Sequence, residues 1–303
     1  MITTSIELMH IPSGLNISSR LARIIGGLVL VMGLAACSAI KLGYNNVDEL
    51  MYWWIDSYID LNSVQDTRVR EDLDRLHLWH RQRELPVLAE TLRALEPVMA
   101  ADISPAQVCA FVPVIRERVN AVLDRAEPAI TTFALGIAPE QFKHLQGKFE
   151  RVNRDYESDW IQKDAAARKE RRYDQQLDRA EMVYGRLDDA QRALLRASID
   201  KSMFDPVRAL AERKRRQQDA LQSLRKAASQ PVNLQDARTQ VRSYLKRLQA
   251  SPDASWRAYE QGLINESCAT FSALHNSTNA AQRESAVRRL RAWQRDLREL
   301  AIQ

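Results

Sequence analysis

The five residues Leu187-Asp188-Asp189-Ala190-Gln191 read as the start of a helix. An apolar residue comes first, then a capping carboxylate, then a glutamine three positions after the cap. The cap oxygen accepts from the backbone N–H at the third helical position, and the glutamine reaches back to the cap's own N–H. Two donors that a helix would otherwise leave unpaired are satisfied reciprocally. The same frame stands at Leu61-Asn62-Ser63-Val64-Gln65 and Ile103-Ser104-Pro105-Ala106-Gln107. Ile137-Ala138-Pro139-Glu140-Gln141 keeps it with a poor cap, and Asn279-Ala280-Ala281-Gln282 repeats the cap and the glutamine. Val232-Asn233-Leu234-Gln235-Asp236 and Ser251-Pro252 are looser relatives. Pro105, Pro139 and Pro252 fall at the first helical position, where a missing N–H costs nothing. Ile103 with Val108, and Ile137 with Phe142, are placed to staple their helix entries.

Working outward, these starts divide the chain into about eight helices: 47–60, 63–99, 105–134, 139–184, 189–229, 234–250, 253–275 and 280–301. The expected fold class is all-α, an elongated multi-helix bundle. The first helix carries one apolar stripe, Val47, Leu50, Met51, Trp54, Ile55, Tyr58 and Ile59, at helical spacing. The stretch from Pro139 has no proline for some 45 residues. Its apolar positions step by three and four (Phe142, Leu145, Phe149, Val152, Tyr156, then Tyr173, Leu177, Ala180, Tyr184), which predicts a long coiled-coil-like helix. Between them Gln162 to Arg172 is nearly all polar, so this segment is expected to project from, or bridge, two helical halves. Pro86, Pro113, Pro128 and Pro206 are expected to kink or break helices. The spacing of the glutamines is irregular, which excludes a fixed-period solenoid.

Composition agrees. The chain has 9 glycines in 303 residues, and only Gly43, Gly136, Gly147, Gly185 and Gly262 lie beyond Cys37. Five scattered glycines supply neither the turns of many hairpins nor a phosphate-cradling loop, so a β-sandwich, a Rossmann domain and a P-loop NTPase are disfavoured. The net charge of +5 comes from 44 basic and 39 acidic residues. That is a mixed, heavily charged surface, and not the polybasic face of a nucleic-acid binder.

The N-terminus reads as an address. Arg20 and Arg23 precede an uncharged apolar run from Ile24 to Ala36, 13 residues long. Such a run is shorter than the roughly 20 residues of a membrane-spanning helix and fits a secretory signal. It ends Leu34-Ala35-Ala36-Cys37-Ser38, which resembles the lipobox of bacterial lipoproteins. The resemblance implies cleavage before Cys37, and a diacylglycerol and an acyl chain on Cys37. Ser38 in the following position implies an outer-membrane, periplasmic-face destination. The expected organisation is a signal peptide over 1–36, a lipidated tether over 37–45 and a helical periplasmic domain over 46–303. The membrane, through this lipid, is then the first partner, and nucleic acid is not one.

Cys109 and Cys268 remain. An oxidising compartment permits a disulfide between them; the alternative is two buried thiols acting as small apolar residues. His77, His80 and Glu84 stand at i, i+3 and i+7, but Arg81 and Arg83 adjoin and no third histidine is near, so no metal site is expected. No H-E-x-x-H and no G-x-S-x-G occurs, and no catalytic residue is assigned. The basic clusters Arg213-Lys214-Arg215-Arg216 and Arg288-Arg289-Arg291 are either solvated helix faces or contacts for an anionic envelope surface. Tyr44, Tyr52 and Trp53 are the best candidates for a membrane-proximal or partner contact, because they follow the anchor closely. Trp53 points about 100° away from the apolar stripe of its helix.

Cys37-Ser38, Lys41-Leu42-Gly43-Tyr44-Asn45-Asn46 and Trp53-Trp54-Ile55-Asp56-Ser57-Tyr58-Ile59-Asp60-Leu61 together resemble the start of an uncharacterised proteobacterial lipoprotein family. Trp79-His80-Arg81 with Glu84-Leu85-Pro86 fits the same picture. The family is a domain of unknown function, so it carries no catalytic residue over. It would have Leu-Thr-Pro-x-Gln where this chain has Leu61-Asn62-Ser63-Val64-Gln65, a mild departure because asparagine caps as well as threonine. A second resemblance is to periplasmic stress chaperones with repeated Leu-Thr-x-x-Gln motifs, with the threonine replaced here by Asn, Ser, Ala or Asp. The resulting expectation is a non-enzymatic outer-membrane lipoprotein without a cofactor, acting as an interaction or scaffold module towards an envelope protein or anionic surface. The alternative is a holdase-like chaperone.

Overall fold

The computed structural model describes residues 41–229 and 233–303. Contacts divide the chain into Met1–Tyr44 and Asn45–Gln303, and every element named below belongs to the second unit. Among the described residues all regular structure is helical, so the protein is an all-α bundle. The α-helices are α1 (Val47–Ile59), α2 (Ser63–Trp79), α3 (Leu85–Ala100), α4 (Pro105–Cys109), α5 (Phe111–Leu135) and α6 (Pro139–Tyr156). They continue as α7 (Ala165–Tyr184), α8 (Asp189–Lys201), α9 (Pro206–Ala227), α10 (Leu234–Gln249), α11 (Ala254–Asn276) and α12 (Ala280–Ala301).

The predicted capping boxes form at Asn62, Ser104, Asp188 and Asn279, each closed by its glutamine. At Ala138 only half forms: Gln141 Oε1 accepts from the Ala138 N–H at 2.9 Å, and alanine has no oxygen to return. The glutamines do more than close their own boxes. Gln65 and Gln141 pair amide to amide, Nε2 to Oε1 at 3.0 and 2.6 Å. Each amide also donates to the carbonyl two residues before the other's cap, Gly136 and Asp60, at 3.0 Å. Gln191 and Gln282 repeat this pattern, pairing at 2.8 and 2.9 Å and donating to Ser277 and Arg186 at 3.1 Å. Two helix starts far apart in sequence are thereby buttoned together, twice.

The count of about eight helices is corrected, because four expected helices are interrupted. The helix over 63–99 continues as one rod but holds a π turn at His80–Glu84, where the Leu85 N–H donates to the His80 carbonyl five residues back. Pro86 has no N–H and its ring would press on the carbonyl four residues earlier, and the widened turn accommodates it. The helix over 105–134 breaks at Ala110, three residues before Pro113. The helix over 189–229 breaks at Ser202–Asp205, where Asp205 caps α9 with Pro206 at its first position. Pro128, by contrast, is held inside α5.

The long helix over 139–184 is two helices. A second π turn covers Glu157–Ile161, and Asp164 caps a fresh start with its carboxylate on the Ala167 N–H at 2.7 Å. The halves serve different cores. α6 packs on α1 and α9, while α7 packs on α8 and α12. One core gathers Met99, Tyr173, Tyr184, Leu187, Leu195, Leu274 and Leu290, and another Ile59, Leu145 and Leu221. The polar stretch thus bridges two halves. Pro252 is also corrected: it precedes the cap Asp253 rather than opening the helix.

Candidate functional site

Five helices, α1, α2, α5, α6 and α9, surround an open cavity of about 1030 Å³, with further walls from α10 and α11. That is the upper end of the range for small-molecule sites. Its lining follows from helical period. Met51, Trp54, Ile55, Tyr58 and Ile59 come from the apolar stripe of α1, and Val69, Leu73 and Leu76 from α2. Ala126, Ala129, Ile130 and Phe133 come from α5, and Leu145, Phe149 and Tyr156 from α6. From α9 come Ala209, Glu212, Arg213, Arg216, Gln217, Ala220, Ser223 and Leu224, a single helix face. Stripes that would normally close into a core stand apart here, because the alanines at 126, 129, 209 and 220 are too short to meet across the gap.

Charge is placed unevenly around the apolar walls. Three carboxylates line the cavity and each is answered by an arginine. Asp72 meets Arg75 at 2.6 Å, Glu212 meets Arg216 at 2.8 Å, and Glu260 meets Arg216 at 4.0 Å. Glu212 is buried, which favours its neutral form, but hydrogen bonds from Arg215 and Arg216 outweigh burial and hold its carboxyl down at about 2. Arg125 and Arg213 also line the cavity, and among the described residues neither has a carboxylate within ion-pair distance. Arg213 lies over the ring of Tyr156 at 5.7 Å. Two wall residues carry donors turned away from the cavity: Tyr156 Oη and Trp256 Nε1 are shut off from solvent and, among the described residues, have no hydrogen-bond partner. Burial raises the Tyr156 hydroxyl above its ordinary value, so it stays a donor.

The residues singled out in the sequence fall as follows. Leu34, Ala35, Ala36 and Cys37 lie outside the described residues. Cys109 on α4 and Cys268 on α11 are joined as a disulfide with Cα atoms 5.6 Å apart, across 159 residues. Tyr44 belongs to the first unit. Tyr52 is corrected as a contact residue: it is buried, its hydroxyl is bonded to Asp66, and Arg70 covers its ring at 3.5 Å. Trp53 is 61% exposed, and Leu50 beside it on the same helix face is 58% exposed. Glu84 is paired with Arg118, and among the described residues no group of three metal-ligating side chains gathers. His77 instead meets Asp48 and Arg81.

Most members of the two basic clusters are answered within the fold. Lys214 meets Glu157 and Arg215 meets Glu212. Arg288 meets Glu284, Arg291 meets Glu96, and Arg289 donates to the Met182 carbonyl. The orphaned Tyr156 and Trp256 carry no signal in the sequence that separates them from core aromatics. His275 was equally silent: wholly buried, it lies between the Tyr184 hydroxyl at 3.0 Å and the Ala101 carbonyl at 2.8 Å, and burial keeps it neutral.

A family of unknown function, DUF6279, matches residues 57–254, well over half of the chain. The chain belongs to this family. No curated protein and no solved structure matches it. The DUF6279 span contains α2 to α10 and therefore most of the cavity wall, while Trp53, Trp54, Trp256 and Cys268 lie outside it. Among the described residues no helix is long and apolar enough to cross a membrane.

Proposed function

We propose that the chain is a non-enzymatic lipoprotein of the outer membrane, held on the periplasmic face by acyl chains on Cys37. Its helical domain is a binding module that presents the groove between α1, α2, α5, α6 and α9 to an envelope partner. The observation that carries this reading is the groove itself: a large apolar space left open among helices that are otherwise well capped and ion-paired. The Leu34-Ala35-Ala36-Cys37 resemblance supports the anchor, and two or more acyl chains hold a protein firmly where one does so only marginally. A disulfide between Cys109 and Cys268 suits an oxidising compartment. Neither a cofactor nor nucleic acid enters the proposal.

Two measurements test it. Radiolabelled palmitate should enter the protein in cells, and Cys37→Ala should abolish incorporation; persistent label would remove the anchor. Crosslinking of the native protein in cells should recover a specific envelope component, whereas hydrolytic activity lost on removal of a carboxylate pair would overturn the non-enzymatic reading. A second reading, a holdase-like chaperone, is favoured by the apolar side chains exposed on α1 beside the groove, Leu50, Met51, Trp53 and Trp54. It requires the purified protein to delay aggregation of unfolded substrates.

A further inference from the structure

The occupant of the groove is legible from its chemistry. A second apolar helix would leave the rim cations unanswered, and an ordinary anion would leave the aromatic walls exposed. We infer that the groove binds a single-chain anionic amphiphile of the fatty-acid kind, its acyl chain between Tyr58, Phe149 and Leu224 and its carboxylate at Arg213.

Two observations carry this. First, the walls are apolar along five helices, and the open space between them has room for a long acyl chain. Second, the rim is charge-complementary to an anion. Its three carboxylates are each answered by an arginine, while Arg213 and Arg125 have no carboxylate partner among the described residues. An acid placed at Arg213 gains a charge-assisted hydrogen bond without disturbing an existing pair. Arg213 lies over the Tyr156 ring, so the cation stands beside an aromatic wall. Glu260, on the helix that carries Trp256, is held by Arg216 at 4.0 Å and Arg116 at 3.9 Å, so its charge is answered within the fold. The wall nearest the tether in sequence, Met51 and Trp54, is 41% and 48% exposed, which leaves a route for an acyl chain. The inference rests on reading the domain as a binding module, but not on the lipid anchor.

The test uses the full chain held in amphipol, with a palmitic acid probe that carries a diazirine and an alkyne. After irradiation, mass spectrometry should place the label on α1, α6 and α9, and unlabelled palmitate should compete it away. The methyl ester of the same probe should label at least fivefold less. Ala220→Trp, which fills the groove, should cut labelling about tenfold. Arg213→Gln, at a half-exposed position, should erase the preference for acid over ester while circular dichroism stays unchanged. Label spread over the surface and uncompeted, or acid and ester labelling alike in the unsubstituted chain, overturns the inference. Should Ala220→Trp fail to fold, the acid-to-ester ratio in Arg213→Gln decides. Failure here leaves palmitate incorporation at Cys37 unaffected, so the two outcomes separate.

Discussion

Gly185 ends α7 with φ 77° and ψ −164°, a region that only glycine enters without strain. Gly147 sits inside α6 with normal helical angles, and a Cβ there would meet nothing closer than Arg151 at 3.7 Å. The two positions predict opposite signs for one substitution. Gly185→Ala should cost about 1–3 kcal/mol, and Gly147→Ala should add about 0.5–1 kcal/mol through helix propensity. Urea unfolding of both variants checks this; a shift of the same sign would show that backbone strain does not dominate at Gly185. Gly262 is a third case, since Met203 Sδ lies 2.6 Å from the place its Cβ would take. Here the thioether of the loop after α8 occupies the space. The low glycine content was visible in the sequence, yet only the packing separates a required glycine from a replaceable one.

At the scale of elements, the paired glutamines distinguish two grades of helix start. Gln191 is 1% exposed and holds Ser277 and Gln282 across the interface, whereas Gln107 is exposed and closes only its own box. Gln191→Leu should therefore cost about 2–3 kcal/mol, because it leaves buried partners unsatisfied, and Gln107→Leu about 1 kcal/mol or less. Equal losses in urea midpoints would mean that the amide pairing adds nothing to the box. The starts themselves were readable from Asp188, Asn62 and Ser104 because a cap acts on its own neighbours. Which glutamines meet was not readable, since Gln65 and Gln141 are 76 residues apart and their encounter depends on the whole packing. The same limit explains the π turns: Pro86 announces an interruption, but not that one wider turn absorbs it.

For the whole molecule, the Cys109–Cys268 bridge joins the short α4 to α11 across 159 residues. In the chain-entropy model, a loop of that length stabilises by about 4–5 kcal/mol. Cys268→Ser should lower the urea midpoint accordingly, and dithiothreitol should do the same to the unsubstituted chain without adding to the variant's loss. A midpoint indifferent to dithiothreitol would count against the bridge. The all-α class followed from local signals alone, and so it was legible. The groove was not, because Trp54, Ile55 and Tyr58 show the same spacing whether their stripe meets a partner or lines a space. Nor does a run such as Arg213-Lys214-Arg215-Arg216 say which member goes unanswered. Glu157, Glu212 and Glu260 decide that, and two of them lie on other elements.

The wide turn at His80–Glu84 also bears on how this rod can change over time. It holds one residue more than an α-helix joining the same two flanks would need, so the rod contains a spare amino acid without any loop. Loss of one of residues 81–83 would restore a regular helix with Leu76 and Leu85 still on their present faces, but Pro86 would then press on a carbonyl of the preceding turn. Length and composition are therefore coupled at this point: a relative one residue shorter here is expected to have given up the proline too.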